Sequence, residues 1–338
     1  ESLVVAAMLL RVQLRPDGRW AYNRSMKRLG SIVFYTVLIV LAVAAVETVR
    51  RSWAIARERE MSAQRPKFGY IDKSGALVIP ATYEMAYDFS EGLAAVRIDT
   101  RNGFIDTTGR LVIPAVFEDT GSFSEGLAQA MVSGQIGYID ATGAMVIPPQ
   151  FYPAGAFSEG LAPVCKDGKY GFIDKTGAMV IAPSFKQASP FTEGLASVMF
   201  DGKIGFIDKT GAFAIEPRFQ AARGFSHGIA QVQLDGRWGL IDAKGNIVLN
   251  PTFEDIDTLS EQLIPVRIEQ KWGYMDAEGT TVIDAAFETA RPFSEGLAAV
   301  ELSDRFGFID KSGAFTIAPR FLRAYPFRAG LARVLVKP

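Results

Sequence analysis

From Phe68 to the end of the chain, apolar residues come in short runs, each cut off by polar residues and glycine, and the runs come in threes. The unit around Leu93 shows the pattern. Leu93-Ala94-Ala95-Val96-Arg97-Ile98 is followed by a turn, then Gly103-Phe104-Ile105-Asp106, a second turn over Thr107-Thr108-Gly109, and Leu111-Val112-Ile113. Runs this short, β-prone and bounded by turn formers, predict strands, and the tight links between them predict an antiparallel meander. The same pattern returns on a fixed beat. The glycines opening the second run are Gly69, Gly103, Gly137, Gly171, Gly205, Gly239, Gly273 and Gly307, 34 residues apart at every step. A second phrase, Phe-Ser-Glu-Gly-Leu-Ala in its commonest form, keeps that beat with Gly92, Gly126, Gly160, Gly194, Gly228, Gly296 and Gly330. A constant period of this length predicts an all-β tandem repeat over residues 68–338: eight three-stranded units, each completed by its neighbours.

Ahead of the array the pattern is different. Residues 29–49 read LGSIVFYTVLIVLAVAAVETV, with no charge before Glu47. As a helix this stretch would be roughly 30 Å long, the thickness of a bilayer's hydrocarbon core. Arg24, Lys27 and Arg28 precede it, Arg50 and Arg51 follow it, and Trp20, Tyr22 and Trp53 sit near its ends, where amphipathic rings favour the membrane interface. A transmembrane α-helix over 29–49 is therefore expected, with the lipid bilayer as a partner. A signal peptide cleaved near Ala42-Val43-Ala44 is the alternative, and the long charged region before the apolar stretch weighs against it. Residues 1–28 form a basic membrane-proximal segment, and the apolar stretch from Ser2 to Leu10 reads as the tail of an earlier membrane helix or as an interfacial segment. Residues 50–67 read as a helical stalk ended by Pro66. The six basic residues between Arg11 and Arg28 favour a cytoplasmic loop there, which puts the repeats on the extracytoplasmic side, periplasmic in a two-membrane cell. Arg50, Arg51, Arg57 and Arg59 pull the other way.

The two ends of the array bear on its closure. It opens at Phe68 with a second run and ends at Leu331-Ala332-Arg333-Val334-Leu335-Val336 with a first run that lacks its hairpin. A C-terminal strand completing the N-terminal meander would close a propeller-like ring. An open β-solenoid is the alternative, because propeller units are usually nearer 40 residues. The ring is favoured.

Within each unit the residue types suggest jobs. Asp72, Asp106, Asp140, Asp174, Asp208, Asp242, Asp276 and Asp310 are each followed three places on by glycine. An aspartate accepting backbone N–H groups and a glycine at positive φ together make a hairpin loop, so this pair reads as turn chemistry and not as a ring of metal ligands. Prolines such as Pro80, Pro114 and Pro148 are expected to end strand pairing by removing a donor. Two aromatics per unit, Phe117 and Phe123 for example, are expected to pack between neighbouring units.

Charge and composition narrow the function. The formal balance of −1 conceals a split: residues 1–67 carry 12 Lys/Arg against 5 Asp/Glu, and residues 68–338 carry 24 against 32. An acidic array is unsuited to nucleic acid, whose recognition needs a basic face, whereas the basic leader suits anionic headgroups. Cys165 is the one cysteine, so no intrachain disulfide forms; it reads as a small buried strand residue. His227 is the one histidine, and with Cys165 62 positions away it makes neither a zinc site nor a nucleophile pair. No phosphate-binding glycine loop or nucleophile elbow occurs. No cofactor, metal or catalytic residue is expected, and the protein is read as a non-enzyme. The candidates for function are Glu91, Glu125, Glu159, Glu193, His227, Glu261 and Glu295, matching positions that could line one rim and meet a partner. The competing reading gives each glutamate a local capping role in its loop.

These phrases resemble the WG-containing β repeat of bacterial proteins, whose type unit reads like WGYIDKTGKIVIPPQYDYAYPFSEGLA. The resemblance covers Phe68 to about Val334. The Trp-Gly pair itself survives at Trp238-Gly239 and Trp272-Gly273; Gln262 replaces the loop glycine in the sixth unit, and Asp284-Ala285 replaces the proline in the seventh. The family implies a β-rich interaction module and brings no catalytic residues to carry over. The expected function is a membrane-anchored scaffold presenting its repeats to a protein partner, as an accessory subunit of a membrane complex. A polysaccharide- or small-ligand-binding module is the alternative, and it would need exposed, grouped aromatics.

Overall fold

A computed structural model describes residues 40–41, 43–54, 57 and 65–337. The chain divides into two units, Glu1–Arg65 and Pro66–Pro338. In the first, residues 43–54 are helical and exposed. No helix among the described residues is long and apolar enough to cross a membrane. Residues 29–39 and 42 of the expected span, all of segment 1–28 and residues 55–56 and 58–64 of the stalk lie outside the described residues.

The second unit is a closed ring of eight antiparallel sheets, the blades of a β-propeller. Its closure is explicit. In the first blade the C-terminal strand Ala332–Val336 pairs with Lys67–Ile71 in continuous register, Lys67 opposite Val336 through Ile71 opposite Ala332. Arg323–Ala324 flanks this pair on one side and Leu77–Tyr83 on the other. The hydrophobic core has the same cyclic order. It consists of eight clusters, one between each pair of neighbouring blades, and the cluster of Ile71, Ala332 and Val334 with Phe306, Phe308 and Ile317 joins the last blade to the first. An open solenoid would leave two of these faces bare, so the ring is the observed alternative.

The expected three-stranded units are four-stranded blades in six cases. The extra strand is two residues long, such as Asp119–Thr120, which pairs with Leu127–Val132. In the other two blades a single bridge, Ala86 to Val96 or Ala154 to Val164, takes its place. Two residues cannot show alternation, which is why the sequence pattern misses them. The prolines also behave differently from the expectation. Pro80 lies inside the seven-residue strand Leu77–Tyr83, where the pairing with Lys67–Ile71 skips residues between Phe68 and Tyr70. A proline in such a bulge forfeits no ladder bond, because the register is already broken there.

That bulge accounts for the glycine that opens each second run. In the third blade the bulged strand Met145–Phe151 crosses so close over Gly137 that an added Cβ would lie 2.4 Å from the Ile147 oxygen. Gly137 is kept free of a side chain by contact, since its φ lies in no glycine-only region. The next turn's glycine has the other reason. Gly143 has φ +85° and seats its backbone on Ile113 of the preceding blade. Its turn is built as the sequence suggests: the Asp140 carboxylate accepts the N–H groups of Thr142 and Ala144 and the Thr142 hydroxyl.

The recurring aromatics interlock between blades. The ring on the second strand meets the phenylalanine of the next blade's loop, as in Tyr70–Phe89, Phe104–Phe123, Tyr138–Phe157 and Phe172–Phe191, with centroids 4.8–4.9 Å apart in tilted or edge-on geometry. Each such pair contributes about 0.5–1.5 kcal/mol beyond its buried area. Cys165, expected to be buried, is half-buried opposite Tyr170.

Candidate functional site

The loops carrying the candidate residues are two-residue hairpin turns. Ser158 and Leu161 exchange backbone bonds of 2.9 and 3.2 Å, and Glu159 and Gly160 between them both have positive φ, 54° and 86°. Glycine adopts this conformation freely, whereas a glutamate there costs roughly 1–2 kcal/mol. The strain recurs at Glu91, Glu125, Glu193, His227, Glu261, Glu295 and Ala329, all at φ 51–55°.

The compensation comes from the adjacent blade. The Glu159 carboxylate accepts the Gly194 N–H at 3.1 Å, so it reaches the same turn one repeat further on. Glu91 holds Gly126, Glu125 holds Gly160, Glu261 holds Gly296 and Glu295 holds Gly330 in the same way, while Glu193 takes the N–H groups of both His227 and Gly228. The local-capping expectation thus had the right donors in the wrong place, because each clasp spans a junction between blades. Four clasps are doubled by a lysine: Lys175 on Glu125, Lys209 on Glu159, Lys311 on Glu261 and Lys73 on Glu295, at 3.0–3.2 Å. The Lys73–Glu295 pair crosses the seam where the ring closes. Partial burial raises the pKa of Glu125 and Glu159, but the lysine and glycine donors outweigh it and hold both below the ordinary value.

The seven candidate residues are therefore distributed one to a junction, and six of them are engaged in holding neighbouring blades together. His227 is the exception. Its imidazole Nδ1 lies 3.0 Å from the Ser226 hydroxyl of its own loop, and it makes no tie to Gln262, which occupies the glycine position next door. Among the described residues no group of three or more His, Cys, Asp or Glu side chains is placed to hold a metal ion.

A second constellation was not picked out from the sequence. Arg333, on the closing strand, stacks 3.5 Å above the Tyr325 ring, donates from Nε to Asp88 at 2.6 Å, and donates from Nη1 to the Ala86 carbonyl. Tyr87 and Phe68 flank it. The signal was available: the corresponding strand position in other units holds Ala95, Gln129, Pro163, Ser197, Gln231, Pro265 and Ala299, so a charged residue stands out.

Eight successive matches to the WG containing repeat run over residues 68–99, 103–135, 136–170, 170–203, 204–238, 238–272, 272–305 and 306–337. The chain belongs to the WG-repeat family. No curated protein matches it. Among solved structures, the WG-repeat chain is similar to a eukaryotic initiation factor, at 13% identity over 78% of this chain and 87% of that one, with a TM-score of 0.50. It is also similar to the C-terminal WD40 domain of Sif2, at 9% identity, 76% and 98% coverage and a TM-score of 0.47. A third is the dihydro-heme d1 dehydrogenase NirN, at 10% identity, 81% and 74% coverage and a TM-score of 0.49. At such identities the initiation-factor likeness speaks for the propeller fold alone.

Proposed function

We propose that this WG-repeat protein is a non-catalytic interaction scaffold, held at a membrane by residues 29–49, that presents its propeller to a protein partner in a membrane assembly. The observation that carries the reading is an uneven surface on an even ring. The first two residues of the third strand are exposed apolar pairs in several blades: Leu77 and Val78, Met145 and Val146, Met179 and Val180, Ile247 and Val248, at 37–51% exposure. In the seventh and eighth blades those pairs are Thr281-Val282 and Phe315-Thr316. Scattered surface apolar residues are ordinary, but adjacent ones repeated on the edge strands of blades one, three, four and six supply the area a partner covers. The recurring aromatics favour this reading over a carbohydrate module, since Phe89, Phe123, Phe157 and Phe191 are buried and offer no face for sugar stacking.

Anchoring rests on the uninterrupted apolar run before Glu47 and its basic flanks, and the extracytoplasmic placement on the six basic residues between Arg11 and Arg28. The test is mild detergent extraction of the full chain followed by mass spectrometry of what co-purifies. The wild-type chain should retain a protein that a Val78→Lys/Val146→Lys/Val180→Lys variant loses, with the propeller's β-sheet signal unchanged. A partner that the variant retains in full contradicts the apolar surface. Carbonate extraction checks the anchor: Val40→Arg should reduce membrane retention, because a central arginine costs about 2.5–3.5 kcal/mol on insertion scales.

A further inference from the structure

The junction between the sixth and seventh blades is packed differently from the other seven. The aromatic pairing that joins blades one to five continues in Phe206–Phe225, Tyr274–Phe293 and Phe308–Phe327, with centroids 4.9–5.0 Å apart. Between the sixth and seventh blades its two positions hold Leu240 and Leu259. The core there is the smallest of the eight: six buried residues, none of them aromatic, against eight to eleven elsewhere. Leu249, which takes the place of buried isoleucines such as Ile215 and Ile283, is only half-buried. The clasp is missing as well, since His227 stands for its glutamate and Gln262 for its glycine. Gln262 keeps the left-handed backbone, φ 72°, that a glycine adopts freely at this place in every other blade. The junction between the first and second blades also lacks a clasp, because Ala329 holds the glutamate position, but it retains the Tyr70–Phe89 pair and the Arg333–Asp88 contact.

A buried polar defect lies at the same junction. On the strand Ile229–Leu234, Ala230 and Val232 belong to the core shared with the fifth blade, so Gln231 between them faces the seventh. Its side chain is fully buried, and neither Nε2 nor Oε1 has a hydrogen-bond partner among the described residues. An amide held in this way raises the free energy of the closed junction, and separation of the blades returns it to water. Two polar ties oppose that separation. Arg223 donates to Asp257 at 2.6 Å and to Asp255 at 3.2 Å. The Ser226 hydroxyl donates to the Leu259 carbonyl at 3.1 Å, where the matching bonds of Ser90, Ser158, Ser260 and Ser294 measure 2.6–2.7 Å. The chain itself passes from the strand Ile247–Phe253 to Asp255–Ile256 through Glu254 alone, a link short enough to serve as a pivot.

We propose that the ring opens at this junction: the sixth and seventh blades part about the link at Glu254 while the other seven junctions stay packed, and Arg223 is the latch that holds the two blades shut. Opening bares Leu240, Ile256, Leu259 and Ile264 and hydrates the Gln231 amide. The blade completed by the last strand is not the weak point, since the largest of the eight cores joins it to the eighth blade. The inference is independent of the scaffold reading, because opening of this kind needs no partner.

Thiol labelling of the folded full chain tests this. In a Cys165→Ser background, one strand position is changed in turn: Val266→Cys at this junction, and Val96→Cys, Val232→Cys and Val300→Cys at the equivalent place of three others. All four valines are at most 2% exposed, so a reagent reaches each position only when its junction opens. Loss of a ring pair and a clasp together is on the order of a tenfold change in a local opening equilibrium. Val266→Cys should therefore react at least tenfold faster than the other three. Arg223→Gln should quicken labelling at position 266 and leave position 300 unchanged, while His227→Glu with Gln262→Gly, which rebuilds the clasp, should slow it severalfold. Equal rates at all four positions would mean that the thiols react through unfolding of the whole ring, and overturn the proposal. So does faster labelling at any of the other three positions, or labelling at position 266 that the rebuilt clasp leaves unchanged.

Discussion

Three glycine-to-alanine substitutions should have three different costs, and their order tests the account of how the blades are built. At Gly137 the new Cβ would lie 2.4 Å from the Ile147 oxygen, 2.7 Å from the Pro149 nitrogen and 2.9 Å from the Pro148 carbonyl carbon. All three are backbone atoms, so no rotamer change relieves the contact. The strand Met145–Phe151 must retreat by about 1 Å, in a close-packed interior that resists such shifts. Ile147 on that strand also seats the Gly177 turn of the next blade, so the displacement is passed across a junction. Overpacking of this kind falls at the upper end of its usual range, about 3 kcal/mol or more. Gly160 has φ +86° but nothing within 4 Å of its Cβ position, and its alanine variant pays only the left-handed conformation, about 1 kcal/mol. Gly143 combines φ +85° with a 2.9 Å approach to an Ile113 methyl that can move, and falls between. For a body of this size the melting temperature should drop by about 6–12 °C for Gly137→Ala and about 2–4 °C for Gly160→Ala. Urea and thermal unfolding of the three variants measure the order. Equal losses at Gly137 and Gly160 would refute the contact argument, because backbone conformation alone would then explain both.

Arg333→Ala should lower stability by about 2–3 kcal/mol, since it removes a stacked, charge-assisted contact and leaves Asp88 without its partner. Arg333→Lys should recover little, because an ammonium cannot reproduce the planar stack; full recovery in thermal melts would show that charge alone holds the seam. Acid should loosen the ring in a defined window. Hydroxyl and backbone donors hold Asp72, Asp106, Asp140, Asp174, Asp208 and Asp310 below the ordinary carboxylate value, Asp106 at about 2, and the clasp glutamates Glu125 and Glu159 are also lowered. A depressed folded-state pKa stabilises the fold above the unfolded value and ceases to do so as pH falls through the folded one. The urea midpoint should therefore hold from pH 7 to pH 5.5 and decline below about pH 4.5; a midpoint unchanged at pH 3 contradicts the assigned bonds.

Features that depend on spacing along the chain were legible in the sequence. The invariant period gave eight units, the unmatched run from Leu331 to Val336 pointed to closure onto Phe68–Ile71, and the Asp140-to-Gly143 spacing announced its turn. Features that depend on the distance between blades were not. Nothing in the sequence says that the Glu159 side chain reaches Gly194, or that the strand through Ile147 crosses over Gly137, because both follow from how neighbouring units are stacked. Two-residue strands such as Asp119–Thr120 have no period to detect. The candidate rim was partly visible: the positions of Glu91 to Glu295 recur, but their engagement in clasps could be seen only once adjacent loops were placed side by side. The departures at His227, Gln262 and Glu278 were each readable, and their convergence on one junction was not.

The central claim is that the propeller is a single ring closed by its last strand. Hydrogen exchange at the Tyr70 and Ile71 amides, measured in the full chain and in a chain ending at residue 330, tests it most directly. Lys67–Ile71 lies between Ala332–Val336 and Leu77–Tyr83, so removing the C-terminal strand turns it into an open edge. The account predicts that protection at Tyr70 and Ile71 falls sharply in the shortened chain. Protection at both amides equal to that of the full chain would contradict closure.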